Sequence, residues 1–442
     1  MTDNRKLTAR QLAYNVLLKI QKENAFSNLS LNSALKNCGL EPREKSFASA
    51  LVYGVIERRI TIDYILSLYL SKPLKKMKPE PLTALRLGAY QILFSSGVPD
   101  SAAVNESVKL SKNNGFSYSS GLINAVLRKV SGGGLVFPST DDRAYDLSIR
   151  YSCPQWLVKK WISEYGEENT LSVLIHSLDK KRVTVRANTL KTTVEKLKAS
   201  LEAQGISCEY GRVKNSLDIE LSGAAIEGLS EFKNGLFHVQ GIPSQLCAAA
   251  VGAEEGDVVF DLCAAPGGKT FTIAQMMKNK GLIRAFDIYE KRAQLIADGA
   301  ERLGISIIET GVVDASVFEP SLGLADRVLC DVPCSGLGII SKKPEIKYKD
   351  ENELAELPDI QLSILENGSE YVKSGGRLVY STCTLSKAEN ESVCERFLKQ
   401  HSEFVAVSPF ENPEKECFAT FFPDEHNSDG FFVAAFERKD IQ

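Results

Sequence analysis

Apolar side chains recur every three or four positions along residues 7–130, and Leu12 and Val16 begin the first such series. This spacing places apolar residues on one face of a helix, so it predicts a succession of amphipathic helices. The glycine-rich stretch 131–134 interrupts the pattern and predicts a linker. We therefore predict an all-α domain over residues 1–135.

A mixed pattern follows in residues 141–245. Residues 180–186 alternate between basic and apolar side chains like a strand, whereas residues 193–204 have helical spacing. The stretch predicts a small α+β module. Arg182 and Arg186 lie on the predicted strand and are candidates for contacts with nucleic-acid phosphates, with solvated arginines as the alternative.

Strands and helices alternate from Val251 onward, which predicts a doubly wound, mostly parallel α/β sheet over residues 246–442. The predicted strands are 258–262, 282–287, a short strand near Ile307, 327–331, 377–381, 404–407 and 431–436, and the predicted helices include 290–303, 359–372 and 389–400. Ligands of such sheets bind at the carboxyl ends of the strands. Four side chains fall at these ends and are expected to converge: Asp287, Asp314, Asp331 and Cys383.

The composition narrows the possible functional classes. The chain has 442 residues, of which 43% are hydrophobic, enough for two or three ordinary domains. No apolar stretch is long enough to span a bilayer and the first residues lack a signal peptide, so we expect a cytoplasmic protein with no membrane partner. The ten cysteines include no Cys-x-x-Cys pair, which argues against a disulfide framework and a zinc site.

Charge is distributed unevenly although the net charge is only −3. Residues 1–140 contain 19 Lys and Arg against 9 Asp and Glu, whereas the remainder contains 34 against 47. A basic first domain favours a polyanionic partner such as nucleic acid, and a solvated basic face is the alternative. The lysine-rich segment 341–349 is a further candidate for phosphate contact, against a solvated loop.

The segment 257–270 combines a short apolar strand, a turn with Gly267 and Gly268, and a helical pattern. Backbone N–H groups at such a turn can bind a ligand at the helix N-terminus. A phosphate-binding P-loop is excluded because Cys263 stands where that motif requires glycine. A nucleotide site of the dinucleotide type requires an acidic residue about 20 positions on, which Asp287 provides, although an ordinary strand–helix turn has the same pattern.

Two cysteines follow predicted strands. Cys334 lies in Asp331-Val-Pro-Cys-Ser-Gly-Leu-Gly338, and Cys383 lies in Ser381-Thr-Cys-Thr384. Polar neighbours and free backbone N–H groups beyond a strand end can lower a thiol pKa from about 8.5. Either thiol is a candidate nucleophile once it is ionised, and a structural role is the alternative for each.

Together with Asp261-Leu-Cys-Ala-Ala-Pro-Gly-Gly-Lys-Thr270, these two motifs resemble those of the RNA cytosine-5 methyltransferases that use S-adenosylmethionine. In the first domain, Val98-Pro-Asp-Ser-Ala-Ala-Val-Asn-Glu106 and Gly121-Leu-Ile-Asn-Ala-Val-Leu-Arg128 resemble the NusB-like RNA-binding helical domain. The combination is similar to the bacterial 16S ribosomal RNA cytosine-5 methyltransferase family of the Sun/Fmu type over nearly the whole chain.

The resemblance implies a seven-stranded Rossmann-like methyltransferase domain that acts on 16S rRNA. It implies that S-adenosylmethionine is bound by Cys263, Ala264, Ala265, Pro266, Gly267, Gly268, Lys269, Asp287, Asp314 and Asp331. Cys383 matches the nucleophile of the family, and Cys334 matches the partner that releases the product. Asp331 matches a residue between cofactor and base. We further expect a monomer without a metal ion.

Carbon 5 of cytosine is a poor nucleophile, so the implied reaction first adds a thiolate to carbon 6, which activates carbon 5 toward the sulfonium methyl group. Asp331 would protonate or hold N3 as charge develops. The target base must be unstacked to reach both groups.

Several alternatives remain open. In DNA cytosine methyltransferases the Pro-Cys cysteine is the nucleophile, so Cys334 and Cys383 can in principle exchange roles. Methylation of an exocyclic amine is a weaker rival, because those sites generally present Asp/Asn-Pro-Pro-Tyr/Phe where this chain has Asp331-Val-Pro-Cys334. The substrate can also be transfer RNA or another RNA, or the protein can be a non-catalytic ribosome-assembly RNA binder.

Overall fold

The computed structural model describes residues 7–23, 27–36, 38–179, 182–221, 225–410, 417–423 and 429–440. The chain divides into two compact units. The first comprises residues 1–163 and 343–348, and the second comprises residues 164–342 and 349–442. The predicted boundaries of three domains are finer than this division and stay predictions.

The first unit is built from helices, as predicted. They are α1 (Ala9–Glu23), α2 (Ser27–Lys36), α3 (Pro42–Glu57), α4 (Arg59–Ser67), α5 (Pro79–Phe94), α6 (Asp100–Asn113), α7 (Ser120–Gly133), α8 (Arg143–Tyr151) and the start of α9 (Gln155–His176), which is interrupted at Gly166. Leu12 and Val16 lie in its buried core, as their helical spacing predicts. The predicted break at 131–134 starts too early, because α7 continues through Gly133 and ends at Gly134, whose φ is 64°.

Residues 343–348 pack within this helical unit. Lys347 is 2% exposed, and its Nζ donates a hydrogen bond to the carbonyl of Glu57 at 2.7 Å. The guanidinium of Arg59 lies 3.6 Å from the ring centroid of Tyr348. Burial lowers the pKa of Lys347 to about 8. The prediction that this lysine-rich segment contacts phosphates is therefore wrong for Lys347, which is an internal donor.

The second unit contains a four-stranded antiparallel sheet that confirms the predicted α+β module. Its strands are β1 (Val183–Ala187), β2 (Ser207–Tyr210), β3 (Ser216–Glu220) and β4 (Phe237–Val239), in the order β2-β3-β1-β4, with helices α10 (Val194–Ala203) and α11 (Ser230–Lys233). Alternate strand positions, including Val185 and Leu217, pack against Leu197 of α10 in one apolar core. Thr193 caps α10 by accepting a hydrogen bond from the N–H of Lys196.

Arg186 of β1 points into the protein. It is 6% exposed, and its Nη1 donates to Gln245 Oε1 at 3.1 Å and to the carbonyl of Lys214 at 3.3 Å. Burial lowers the pKa of Arg186 to about 10. Arg182 is paired with Glu209 at 2.5 Å. The predicted phosphate contact of Arg186 is therefore wrong, because its guanidinium is used internally.

The larger sheet of this unit carries the predicted doubly wound fold. Its strands are β5 (Val258–Asp261), β6 (Leu282–Asp287), β7 (Ile308–Val312), β8 (Ala325–Asp331), β9 (Val372–Thr382), β10 (Phe404–Val407), β11 (Phe418–Phe421) and β12 (Phe431–Arg438), and its helices are α12 (Ile242–Ala250), α13 (Gly268–Met276), α14 (Glu290–Leu303), α15 (Leu357–Glu370) and α16 (Glu391–Gln400). The order is β10-β12-β9-β8-β5-β6-β7, with β11 paired to β12. Strands β5 to β9 pair in parallel, whereas β12 pairs antiparallel with β9, β10 and β11.

The sheet separates two apolar cores because successive residues of a strand point to opposite faces. On β5, Val259 belongs to the core with Ile273 of α13, whereas Phe260 belongs to the core with Leu365 of α15. Burial on both faces explains the nearly continuous apolar runs in the strand sequences.

The internal position of Arg186 gives a testable prediction. Replacing Arg186 with Met removes two hydrogen bonds to buried acceptors, so we expect the free energy of unfolding to fall by about 1–3 kcal/mol. The salt dependence of RNA binding should stay unchanged, because this side chain neutralises no phosphate. Thermal unfolding and binding at several salt concentrations measure both quantities. Arg182→Gln, which removes a surface ion pair, is the control and should change the free energy of unfolding by less than about 0.5 kcal/mol. A weaker salt dependence in Arg186→Met at unchanged stability would contradict the internal role.

Candidate active site

The site lies beyond the carboxyl ends of β8 and β9. These parallel strands pair in register, so Asp331 at the end of β8 lies opposite Ser381 of β9. Ser381 Oγ donates a hydrogen bond to Asp331 Oδ1 at 2.7 Å. Each strand runs directly into a cysteine loop. The Sγ atoms of Cys334 and Cys383 are 3.3 Å apart, and both side chains are partly exposed.

Backbone hydrogen bonds connect the two loops, in addition to the contact between the two free thiols. The N–H of Gly338 donates to the carbonyl of Cys383 at 3.1 Å, and the N–H of Gly430 donates to the carbonyl of Gly338 at 2.8 Å. A Cβ atom at position 338 would lie 2.1 Å from the carbonyl oxygen of Gly430. Only glycine permits this approach, so the glycine that ends the first cysteine motif sets the spacing between the loops.

The buried carboxylate of Glu389 accepts hydrogen bonds from the first cysteine loop. Glu389, which is 2% exposed, accepts hydrogen bonds from the N–H and Oγ of Ser335 at 2.8 and 2.6 Å and from Gln361 Nε2 at 3.0 Å. The Oγ of Ser335 also lies 2.6 Å from Thr384 Oγ1. Glu389 and Gln361 were not predicted as site residues, because their positions in the sequence indicated only helices. The signal that was present is an acidic residue six positions after Cys383, just before a helix.

The pKa of the Cys334 thiol is raised well above its ordinary value. The hydrogen bond with Cys383 is the largest cause, followed by burial and by the negative charges of Cys383 and Glu389. Cys334 therefore keeps its proton when its partner is ionised.

Lys269 and Asp331 form an ion pair beside this cysteine pair. Lys269 Nζ lies 2.6 Å from Asp331 Oδ2 and 5.3 Å from the ring centroid of Phe431. Burial lowers the pKa of Lys269 and is the largest single cause, but the charge of Asp331 and the hydrogen bond to it, together with the charges of Cys247 and Asp261, outweigh burial, so the pKa lies above its ordinary value. The ammonium is therefore a fixed positive charge at neutral pH.

Asp261, at the end of β5, is a second buried carboxyl group. Its Oδ2 accepts a hydrogen bond from Thr270 Oγ1 at 2.7 Å, whereas its Oδ1 has no hydrogen-bond partner. Burial raises the pKa of Asp261 to about 7, the bond from Thr270 opposes this, and the charge of Asp331 adds to it. Among the described residues, no side-chain or backbone donor is hydrogen-bonded to Asp261 Oδ1, which therefore remains a buried acceptor.

The predicted cofactor residues lie along the same edge of the sheet. The turn Cys263, Ala264, Ala265, Pro266, Gly267, Gly268 and Lys269 connects β5 to α13, and Gly267 has a φ of 106° that favours glycine. Asp287 ends β6, is 3% exposed, and accepts from the N–H of Tyr289 at 3.1 Å. Asp314 follows β7, and its Oδ1 accepts from the N–H and Oγ of Ser316. Apolar Ile288 and Tyr289, which the sequence analysis did not single out, are exposed directly after Asp287.

Two predicted absences concern metals and membranes. Within the described ranges, no group of three or more His, Cys, Asp or Glu side chains is arranged to hold a metal ion. In the same ranges no helix has the length and apolar character to cross a membrane. The ten cysteines are all free thiols in the structure.

Comparisons with known proteins agree with this architecture. The family model described as "16S rRNA methyltransferase RsmB/F" matches residues 248–437, the "NusB family" model matches residues 7–132, and a model for the "Methyltr_RsmF/B-like, ferredoxin-like domain" matches residues 153–222. The chain is 36% identical over 450 residues to the probable ribosomal RNA small subunit methyltransferase B of Bacillus subtilis (strain 168), which covers 98% of this chain and 100% of the relative.

Two further relatives are more distant. The Homo sapiens 28S rRNA (cytosine(4447)-C(5))-methyltransferase is 32% identical over 314 residues, which covers 66% of this chain and 39% of that protein. The crystal structure of PH0851 superposes with a TM-score of 0.80 at 28% identity, covering 98% of this chain and 100% of that one. Since the Bacillus relative is matched over its whole length, the chain belongs to the RsmB/F family of 16S rRNA methyltransferases, with a NusB-like helical domain and a ferredoxin-like module.

Proposed function

We propose that this protein transfers a methyl group from S-adenosylmethionine to carbon 5 of a cytosine in 16S rRNA, through a covalent bond between Cys383 and the base. The observation that carries the proposal is the 3.3 Å distance between the sulfur atoms of Cys334 and Cys383 at the ends of two adjacent strands. One thiol alone would fit a packing role. Two thiols on separate loops that meet beside an ion pair fit attack and release at one base.

The residues along the sheet edge fit S-adenosylmethionine. Ribose hydroxyls need acceptors, which Asp287 at the end of β6 would supply, and Asp314 would lie by the adenine. The exposed side chains Ile288 and Tyr289 offer an apolar surface for a ring. The turn from Cys263 to Lys269 would hold the methionine part, near the orphaned Oδ1 of Asp261. When bound, the cofactor supplies an electrophilic methyl group on a sulfonium.

The reaction divides between the two thiols. The Cys383 thiolate forms a bond to carbon 6 of cytosine as N3 takes up a proton from solvent, and carbon 5 becomes able to take the methyl group. Water then takes the proton of carbon 5, the ring double bond re-forms as the bond from sulfur to carbon 6 breaks, the Cys383 thiolate leaves, and N3 returns its proton to solvent. The protonated thiol of Cys334 would donate a hydrogen bond to the departing sulfur. Asp331 holds the base at N3, with Lys269 balancing its charge.

Among the relatives, the human protein is described as acting on carbon 5 of a cytosine in 28S rRNA, which supports the same chemistry here. The protein should therefore transfer radiolabelled methyl groups to 16S rRNA, and nucleoside mass spectrometry should find 5-methylcytosine. Transfer to transfer RNA alone, an N4-methylated product, or no transfer at all would each contradict the proposal. The last outcome would favour a non-catalytic RNA binder.

The roles of the cysteines give a second prediction. Cys334→Ala should accumulate a covalent protein–RNA adduct, because attack by Cys383 survives and release does not. Cys383→Ala should form none. Denaturing electrophoresis with labelled RNA measures the adduct, and Cys394→Ala, a buried thiol of the apolar core, is the matched control. An adduct in Cys383→Ala and none in Cys334→Ala would reverse the roles.

The basic character of the first unit gives a third prediction. Lys75 and Lys76 are exposed, so replacing both with Gln should weaken RNA binding and reduce the slope of log K against log salt by about 1.5, as expected for two phosphate contacts. Affinity for S-adenosylmethionine should not change. The same double change at Lys278 and Lys280, which pair with Glu255, is the control. Equal effects of the two double variants on RNA binding would show that the basic surface makes no specific contact.

A further inference from the structure

Two consecutive residues before α16 each hold one of the cysteine loops. Asn390, fully buried, accepts a hydrogen bond from Thr382 Oγ1 at 2.6 Å and donates from Nδ2 to the carbonyl of Thr384 at 3.0 Å. These bonds flank Cys383 on both sides. Glu389 instead binds Ser335, the residue after Cys334, through both its N–H and its hydroxyl. The anchors of the two thiols are therefore separate.

Glu389 accepts hydrogen bonds at both of its carboxylate oxygens. It receives three hydrogen bonds, two from Ser335 and one from Gln361, and among the described residues no ion pair involves it. Gln361 Nε2 also donates to the carbonyl of Pro333, the residue before Cys334, at 3.0 Å. Both N–H donors point to Oε2, whereas Oε1 receives a hydroxyl, which can also act as an acceptor. Glutamine can therefore keep these bonds and removes only the charge, whereas leucine removes the bonds and the charge.

Glu389 is also charged close to the thiol that it positions. Its negative charge disfavours a second negative charge on Cys334 and is one of the causes that raise the pKa of that thiol. Cys383 is held through Asn390. Glu389 thus acts on both the place and the protonation of Cys334, while the loop of the proposed nucleophile has hydrogen bonds of its own to Asn390 and contacts the first loop through Ser335 and Thr384.

We propose that Glu389 is a positioning residue for the release step. It clamps the Cys334–Ser335 turn against the Cys383–Thr384 turn and keeps Cys334 in its thiol form, so that the covalent bond to the base is broken efficiently after methyl transfer. This inference rests on the proposed function. It adds a residue that neither contacts the base nor binds the cofactor in that scheme.

The test compares two variants with the wild-type protein in methyl transfer to 16S rRNA: Glu389→Leu, which removes the three hydrogen bonds, and Glu389→Gln, which removes the charge. A displacement of about 1 Å at a reacting group costs on the order of 100-fold in rate, so in Glu389→Leu we expect kcat to fall by about that factor while the KM for S-adenosylmethionine stays unchanged. Covalent adduct should accumulate, as in Cys334→Ala, because attack by Cys383 is retained. An unchanged kcat and no adduct in Glu389→Leu would overturn the proposal.

A second measurement does not depend on turnover. In a Cys383→Ser background, the alkylation of Cys334 by iodoacetamide is followed by mass spectrometry as a function of pH. Removing the charge of Glu389 in Glu389→Gln should move the midpoint to lower pH, because the carboxylate is one of the groups that raise the thiol pKa. Ser335→Ala, which removes the hydroxyl bonds and keeps the charge, should lower kcat without moving this midpoint.

Glu391→Gln is the matched control. Glu391 is the first residue of α16, two positions after Glu389, and it is partly buried. Its side chain contacts Thr420 rather than either cysteine loop. It should retain wild-type kcat and the wild-type alkylation midpoint. If wild-type protein makes no 5-methylcytosine, the proposed function fails, while the alkylation series still decides whether Glu389 controls Cys334. If Glu389→Leu does not fold, the kinetic measurement is made on Ser335→Ala instead. A wild-type kcat in Ser335→Ala would then overturn the proposal that Glu389 positions the Cys334 loop.

Discussion

The in-register parallel pairing of β8 with β9 is the constraint on which the site depends. Neighbouring strands lie about 4.8 Å apart, and their carboxyl ends meet at one edge of the sheet. Once Asp331 lies opposite Ser381, the loops that follow must begin side by side. The sulfur atoms then need only short turns to meet at 3.3 Å. A shift of this register by one residue would point the side chains at the two strand ends to the opposite face and separate the pair.

Much of the larger sheet could be predicted because its strands are buried on both faces. Val258 to Leu262 and Leu282 to Asp287 are apolar runs bounded by glycine or charge, and β5 and β6 occupy nearly these residues. β11 was missed, since Phe418–Phe421 is a four-residue strand that pairs only with β12 and is only partly buried. The strand ends also brought the candidate residues to one edge of the sheet, because topology alone brings parallel carboxyl ends together.

The basic side chains could not be placed from sequence. Arg186 and Lys347 have the composition of phosphate-binding residues, but both are buried and donate hydrogen bonds to main-chain or amide oxygens. Nothing in a local pattern distinguishes a solvated cation from one that satisfies an internal acceptor, because the acceptor comes from a distant part of the sequence. Glu57 is 290 positions from Lys347. The same limit hid Glu389, whose side-chain partners Ser335 and Gln361 come from two separate segments.

The buried acidic groups explain why this arrangement suits its proposed chemistry. The buried Asp261 and Glu389 and the partly exposed Asp331 are gathered around the carboxyl ends of three strands, and among the described ion pairs only Lys269 is shown to neutralise one of them. Burying carboxylates without cations costs stability, as the raised pKa of Asp261 indicates. The cost is offset when a positively charged ligand enters, since its charge replaces the missing counter-ion. A sulfonium would be such a ligand. The acidic surroundings would hold the proposed cofactor more tightly than the neutral thioether left after transfer, which would favour exchange of the spent cofactor for a new one.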